Sequence, residues 1–379
     1  MKTRTKIATL LFVFLFANCS SNSQNEPPDG AVDAQDADGG AVTDLDSPGD
    51  RDDKADADQD TLDGDGSPSD FGIDGEQDGD GQDADGSSGD SGSDGGQDGD
   101  DSQPGCAGYS AGVQAGTIDN FLLYELSGIT ASQRNSDVLW THNDGGNPKL
   151  FAVGTDSEFL GTYSLLDVVT HDWEDIAVGP GPQPGTTYVY VGDHGNNGRD
   201  RQRVWVHRVP EPDLGAAEPP FDLDLSGGET FLLDYPDDRH DVETLLVDPV
   251  TGDVYLVTKA YEGPTILFRA AAPLEDGQVV TLEQMNTIDL GSNPNLNLAT
   301  GGDVSLSGDR IVIRTKLTAF IWIRPSGTPF WEAFDSEPCT VPLQLELTGE
   351  AAGFAADGVS FYTTSEWLNP PLYYYEYSR

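Results

Sequence analysis

A chain of 379 residues that carries 67 acids against 19 bases, a formal net charge of −48, is a poor partner for nucleic acid or an anionic lipid surface, because both are bound through basic patches. The acids are unevenly placed: residues 24–105 hold 27 of them against Arg51 and Lys54, too dense a run of like charge to collapse. The rest of the chain is acidic but rich enough in apolar residues to bury a core, and the sign of its charge favours cations as partners.

Residues 1–19 have the form of an export signal. Lys2, Arg4 and Lys6 precede an apolar run, Ala8 to Phe16, that is too short to span a bilayer as a helix. The run closes on Phe16-Ala17-Asn18-Cys19, which resembles the lipobox of bacterial lipoproteins, and that resemblance implies lipidation at Cys19 and an exported, outer-membrane or cell-surface destination with no membrane contact beyond the lipid. The alternative is an ordinary secreted protein cleaved nearby. Residues 20–105 are built from Asp, Gly, Ser, Gln and Ala with Phe71 as the one aromatic, and they are expected to form a disordered, self-repelling stalk. Runs such as Asp83-Ala84-Asp85-Gly86 are similar to calcium loops but lack the twelfth-position Glu and the flanking helices, so diffuse counter-ion binding is expected there.

From Cys106 to the end the pattern is all-β: short runs of Val, Ile, Tyr, Phe, Trp and Thr separated by turn residues, with no sustained helical period. The stretch from His171 to Ala177 recurs as His240 to Leu246, with looser copies around Glu125, Asp303 and Glu350. Each acid opens a unit of four strands, the fifth unit running out of chain, and the spacing of 47 to 69 residues between successive acids is the period of β-propeller blades. Five blades are predicted over residues 106–379, closed by an N-terminal strand at 117–124 that supplies the missing strand of the last blade. The Pro-rich segment Pro210 to Gly228 is taken as a connection but leaves room for a sixth blade. Turns such as Asp248-Pro249-Val250-Thr251-Gly252-Asp253 fit the hairpins between first and second strands.

In a propeller the first strand of each blade lines the central channel, so Glu125, Glu174, Glu243, Asp303 and Glu350 are expected to face one another at one mouth. Unpaired carboxylates cannot all stay ionised there without a cation, basic side chains or protons. Calcium suits an all-oxygen set, and these five acids are the candidate ligands. The rival is a structural ion-pair ring, since second strands end at Lys259, Arg314 and Lys316 in two units, opposite Asp144, Asp193 and Glu366 in the others. Lys259 and Arg314, with Asp144 and Asp193, are also the candidates for holding an anion or substrate. His171 and His240, three residues before their acids, fall on the other face of an extended strand and are expected to be spacers. The tryptophans are assigned first to the core between blades.

The stretches Ser127-Gly128-Ile129, Leu139 to Asp144, Asp172 to Ala177, Gly301 to Ser305 and Gly349 to Ala352 together resemble an uncharacterised group of bacterial extracellular β-propeller proteins. They are more distantly similar to phytase-like esterase propellers and to gluconolactonase and paraoxonase propellers. That resemblance implies a propeller and, from its distant members, a central calcium; only the acids at the blade starts correspond. No Gly-x-Ser-x-Gly elbow, phosphate loop or His-Glu-x-x-His is present, so the function expected is a surface binding or scaffold module, with a calcium-dependent phosphoesterase or lactonase as the alternative. The partner expected is an extracellular ligand or protein, and the chain itself is expected to be a monomer. Cys106 and Cys339 are expected to pair once Cys19 is lipidated.

Overall fold

The computed structural model describes residues 108–378, apart from 216, 292, 294 and 295. The signal segment, Cys19, the stalk and Cys106 lie outside the described residues. What is described is a five-bladed β-propeller of antiparallel meanders.

Blade one is β2 to β5 (Leu126–Ala131, Val138–Asn143, Lys149–Gly154 and Phe159–Leu165). Blade two takes β6 (Trp173–Pro180), β7 (Thr187–Asp193), β8 (Arg203–Pro210) and β10 (Glu229–Asp234). β11 (Val242–Val247), β12 (Val254–Thr258), β13 (Thr265–Ala270) and β15 (Glu283–Ile288) make blade three. Blade four comprises β16 (Gly301–Val304), β17 (Arg310–Arg314), β18 (Thr318–Ile323) and β19 (Cys339–Pro342), with a 3-10 helix, Phe330–Asp335, between the last two. The fifth uses β20 (Gly349–Phe354), β21 (Phe361–Ser365), β22 (Pro371–Tyr375) and, as its outer strand, β1 (Val113–Thr117).

The closure is of the expected kind but the strand is displaced. β1 pairs with β22 through Val113 to Thr117, and residues 118–124 instead form a turn that drops Ile118 and Leu123 into the core. An N-terminal strand completing the last sheet leaves that sheet no open inner seam. The segment Pro210 to Gly228 makes no sixth blade: it contains β9 (Phe221–Leu225), which adds in parallel to β5 at the edge of blade one. β14 (Val279–Thr281) likewise adds in parallel to β10 of blade two, so the stretch from Val279 to Ile288 is split between two sheets. Each donated strand caps a sheet edge with chain from farther along the sequence.

Among the described residues the core is divided. Five apolar clusters lie between successive blades, for example Val204, Phe231, Val247 and Phe268 between blades two and three, and Ile129, Leu139, Ala351 and Leu372 across the closing junction. First strands are therefore covered on both faces, which is why Val242–Val247 is buried throughout and does not alternate. Trp140, Trp173 and Trp322 are in this core as expected, whereas Trp367 is 58% exposed. Cys339 is buried on β19.

Candidate functional site

Four of the five first strands begin with the same irregularity. Register shifts fall between Leu126 and Gly128, Trp173 and Asp175, Val242 and Thr244, and Gly349 and Ala351, so Ser127, Glu174, Glu243 and Glu350 are the extra residues of bulges. A bulge re-aims the inserted side chain, here into the mouth of the channel. β16 has no such shift: Gly301, Gly302 and Asp303 pair in unbroken register with Arg314, Ile313 and Val312. Asp303 therefore lies deeper and does not join the others, a correction to the expected ring of five. Its carboxylate accepts the N–H groups of Val304 (2.8 Å) and Phe354 (2.9 Å) and faces Thr130 Oγ1 at 3.4 Å.

The acids that do assemble at the mouth are Glu174, Glu243 and Glu350 from the bulges, Glu125 just before β2, Asp172 just before β6, and Asp144 and Glu366 from the ends of second strands. The N–H of Trp173 donates to the carbonyl of Asp144 at 2.7 Å and draws blade one against blade two. Asp144, Asp172 and Glu174 consequently each bring a carboxylate oxygen within 4.8 Å of the other two. Gly195 passes directly over Asp172 and Glu174, and a Cβ there would run into both carboxylates. Ser127 Oγ donates to the carbonyl of Glu174 at 2.6 Å and fixes the bulge.

Only some of this charge is met by bases. Lys259 Nζ pairs with Glu243 Oε1, and Arg201 donates to Asp172 Oδ2 at 2.9 Å. Lys316 lines, with Lys259 and Thr300, a cleft of about 170 Å3 against Glu350. Arg314 does not reach the mouth. It is fully buried below, donating to Glu346 (3.2 Å) and to the carbonyls of Ala351 (3.0 Å) and Thr364 (3.1 Å), so its charge is spent joining blades four and five.

The remaining repulsion is relieved by protons. Burial, then the carboxylate of Asp172, pushes Asp144 up to about 7, and the two share a hydrogen bond. Burial, then Glu350, lifts Glu366 to about 8, again with a carboxyl–carboxyl hydrogen bond. Glu174 is held well above the usual range by burial and by Glu243 and Asp144. Burial also takes Glu243 to about 8 in spite of Lys259, and its Oε2 is buried with no hydrogen-bond partner among the described residues. A set of hard oxygen donors that keeps protons for want of positive charge, with one orphaned carboxylate oxygen, has the donor chemistry of a divalent-cation site.

Asp193 stands behind the site. It is fully buried and accepts the backbone N–H groups of His171 (3.0 Å) and Asp172 (2.9 Å), with the ring nitrogens of His171 at 2.9 Å and His207 at 3.4 Å. It orients the loop that carries Asp172 and does not itself open onto the mouth. His171, stacked on Trp205 at 4.3 Å, acts as the expected spacer, and His240 packs on Tyr235 and Phe268. His142 and His194 are buried and donate from Nδ1 to the carbonyls of Asn143 and Val242, at 2.9 Å each; burial takes both down to about 4, so they are neutral. Asp172 was not singled out from sequence, although its adjacency to the repeated Glu was a usable signal. Glu211 also escaped notice: it is buried and takes hydrogen bonds from Ser132 (2.5 Å), Gln133 N–H (3.0 Å), Trp140 Nε1 (3.0 Å) and Thr187.

Fold and site together define a five-bladed β-propeller with a carboxylate-rich mouth. No family model and no curated protein matches the chain. Among solved structures it is similar to a gluconolactonase from Xanthomonas campestris, at 13% identity and a TM-score of 0.34, over 64% of this chain and 69% of that one.

Proposed function

We propose that this chain is an exported binding module whose propeller mouth takes a divalent cation, calcium in preference, at Asp144, Asp172 and Glu174. The observation that carries the reading is the convergence of those three carboxylates under Gly195 while Glu243 Oε2 goes unpartnered. Carboxylate-only donors favour calcium, magnesium or manganese over the softer metals. When bound, the ion supplies the positive charge that protons supply in its absence. Glu125, Glu350 and Glu366 complete the negative rim.

The same proposal covers location. Lipidation at Cys19 anchors the chain to the outer membrane. Cys19→Ala is expected to release the protein from the membrane fraction; continued association would remove the anchor from the reading.

The test of the cation site is a melt in calcium against chelator. A ligand at 100 times its dissociation constant adds about 2.7 kcal/mol, which moves the midpoint of a domain of this size by about 5 °C. Asp172→Asn and Glu174→Gln are expected to abolish the shift, and an unchanged wild-type melt would overturn the site. The calcium-loaded protein is also to be offered a lactone, ester and phosphoester panel. No turnover is expected, and turnover lost in Glu174→Gln would replace the binding reading with the hydrolytic one.

A further inference from the structure

The large apolar side chains left exposed are not spread evenly. Most of those among the described residues sit in the loops of one face, the face of the acidic mouth: Phe121 is 79% exposed, Leu345 71%, Leu347 72%, Leu368 59% and Trp367 58%. Exposed apolar groups gathered on one surface around a polar centre mark an interaction site and not a random residue of burial.

Two of these loops are joined at the mouth. The backbone N–H of Trp367 donates to the carbonyl of Tyr124 at 3.2 Å, which sets Glu366-Trp367 beside Tyr124-Glu125. Each loop thus presents one aromatic and one carboxylate at adjacent positions. Trp367 and Asn369 adopt φ of 79° and 58°, left-handed values that a bulky residue rarely takes, so the loop holds its tryptophan outward against its local backbone preference. Glu350 and Glu366 share a carboxyl–carboxyl hydrogen bond, one proton between the two groups, so the pair presents one negative charge beside Glu125.

We propose that this side of the mouth docks a basic polypeptide segment of a partner protein, with a Lys or Arg held between Glu125 and Glu366 over the rings of Tyr124 and Trp367, and apolar neighbours lying along Phe121, Leu347 and Leu368. A cation meeting a carboxylate and an aromatic face together is recognised by both ion pairing and cation–π attraction. Charge fixes the choice of partner: an anionic lipid surface would be repelled by these carboxylates, and the exposed apolar side chains of Phe121, Leu347 and Leu368 beside them suit a basic segment with apolar neighbours. The proposal rests on the binding-module reading; its contacts, Tyr124, Glu125, Glu366 and Trp367, are different residues from the proposed ion ligands Asp144, Asp172 and Glu174.

The test uses the purified propeller-bearing chain and a fluorescent acetylated peptide in which Leu alternates with Lys and Arg, at about 0.15 M salt so that unspecific surface attraction is screened. Saturable binding is expected, about tenfold weaker in Trp367→Ala and in Glu125→Gln, and unchanged in Glu283→Gln, whose exposed carboxylate lies on β15 away from the mouth. The same peptide with Leu replaced by Gly, or with Lys and Arg replaced by Glu, is expected to bind at least about tenfold more weakly. Equal binding by all variants, no saturation, or equal binding of the Gly peptide would overturn the proposal, as would Trp367-dependent binding to phosphatidylserine vesicles in place of peptide. Asp172→Asn separates the two readings: it is expected to lose the calcium shift and keep the peptide. Because Trp367 is largely exposed, its replacement tests contact and not folding, which an unchanged melt would verify.

Discussion

Asp175 accepts the backbone N–H of Leu245 at 2.9 Å across a blade boundary. The same oxygen accepts from Gly302 of blade four at 3.2 Å, and Asp303 continues the circuit by accepting from Phe354 of blade five and facing Thr130 of blade one. Two buried carboxylates from alternate blades therefore lace all five first strands. Asp175→Ala would leave the N–H groups of Ile176, Leu245 and Gly302 without their acceptor, at about 1–3 kcal/mol for each one left unsatisfied. Urea unfolding is expected to show a loss of several kcal/mol, and an unmoved midpoint would show that the lacing contributes nothing.

The pH dependence of stability follows from the protons held in the mouth and, at Asp303, in the channel below it. Asp144, Glu243, Glu366 and Asp303 sit at about 7, 8, 8 and 7 in the folded protein against ordinary values of 3.8 or 4.5, burial being the main cause in each. The folded state binds more protons than the unfolded chain between those limits. Their contribution is therefore fully present below the ordinary carboxylate range and is lost as pH rises through about 7 to 8. At the acid end Asp193 works the other way: burial raises it, but hydrogen bonds from His207 and His171 outweigh that and hold it low. In chelator, the protein is expected to melt at higher temperature at pH 5 than at pH 8. A melt that improved steadily up to pH 8 would contradict the protonated mouth.

Calcium and protons compete for the same oxygens, so the stabilisation by calcium should grow with pH and its binding should release protons. Calorimetry in two buffers of different ionisation enthalpy measures that release directly. An identical apparent enthalpy in both would mean that the carboxylates were already ionised.

Gly195→Ala is a local test of the same site. The added methyl must displace Asp172 and Glu174. The calcium-dependent shift is expected to disappear while the melt in chelator moves by no more than about 1–3 kcal/mol, the usual cost of overpacking. Retention of the full shift would show that these two residues do not hold the ion.

Glu211→Ala addresses the outer layer between blades one and two. It strands the hydroxyl of Ser132, the indole N–H of Trp140 and the amide of Gln133. A loss of about 3 kcal/mol or more is expected from breaking a buried charged network, with calcium binding intact. A loss of both would tie this layer to the mouth.

Much of the architecture was written in local pattern. The repeated acid followed by a buried run, turns such as Asp248 to Gly252 and the Val, Ile and Tyr strands specify blades, because those signals act within a few residues of themselves. The shortage of one strand in the last unit implied closure, but the closing strand's place, beginning four residues before the one expected, depended on Ile118 and Leu123 finding the closing-junction core. That the segment from Pro210 to Gly228 edges blade one could not be read from its own composition, since parallel pairing of β9 with β5 is decided by what lies beside it.

For the mouth, chemical type was legible in the chain and membership was not. Glu174, Glu243 and Glu350 could be named because each belongs to the repeat. Whether an acid at a strand start enters the mouth depends on a bulge, a property of two paired strands; β16 lacks it, so Asp303 sinks into the channel beside amides. Distance likewise sent Arg314 to Glu346 and brought Asp172 to Glu174, because charge pairing is settled by tertiary neighbours and not by position along a strand. The sequence by itself determined a ring of β-blades with excess negative charge at their starts; only the folded ring decided which carboxylates meet, since that turns on a few ångströms of register.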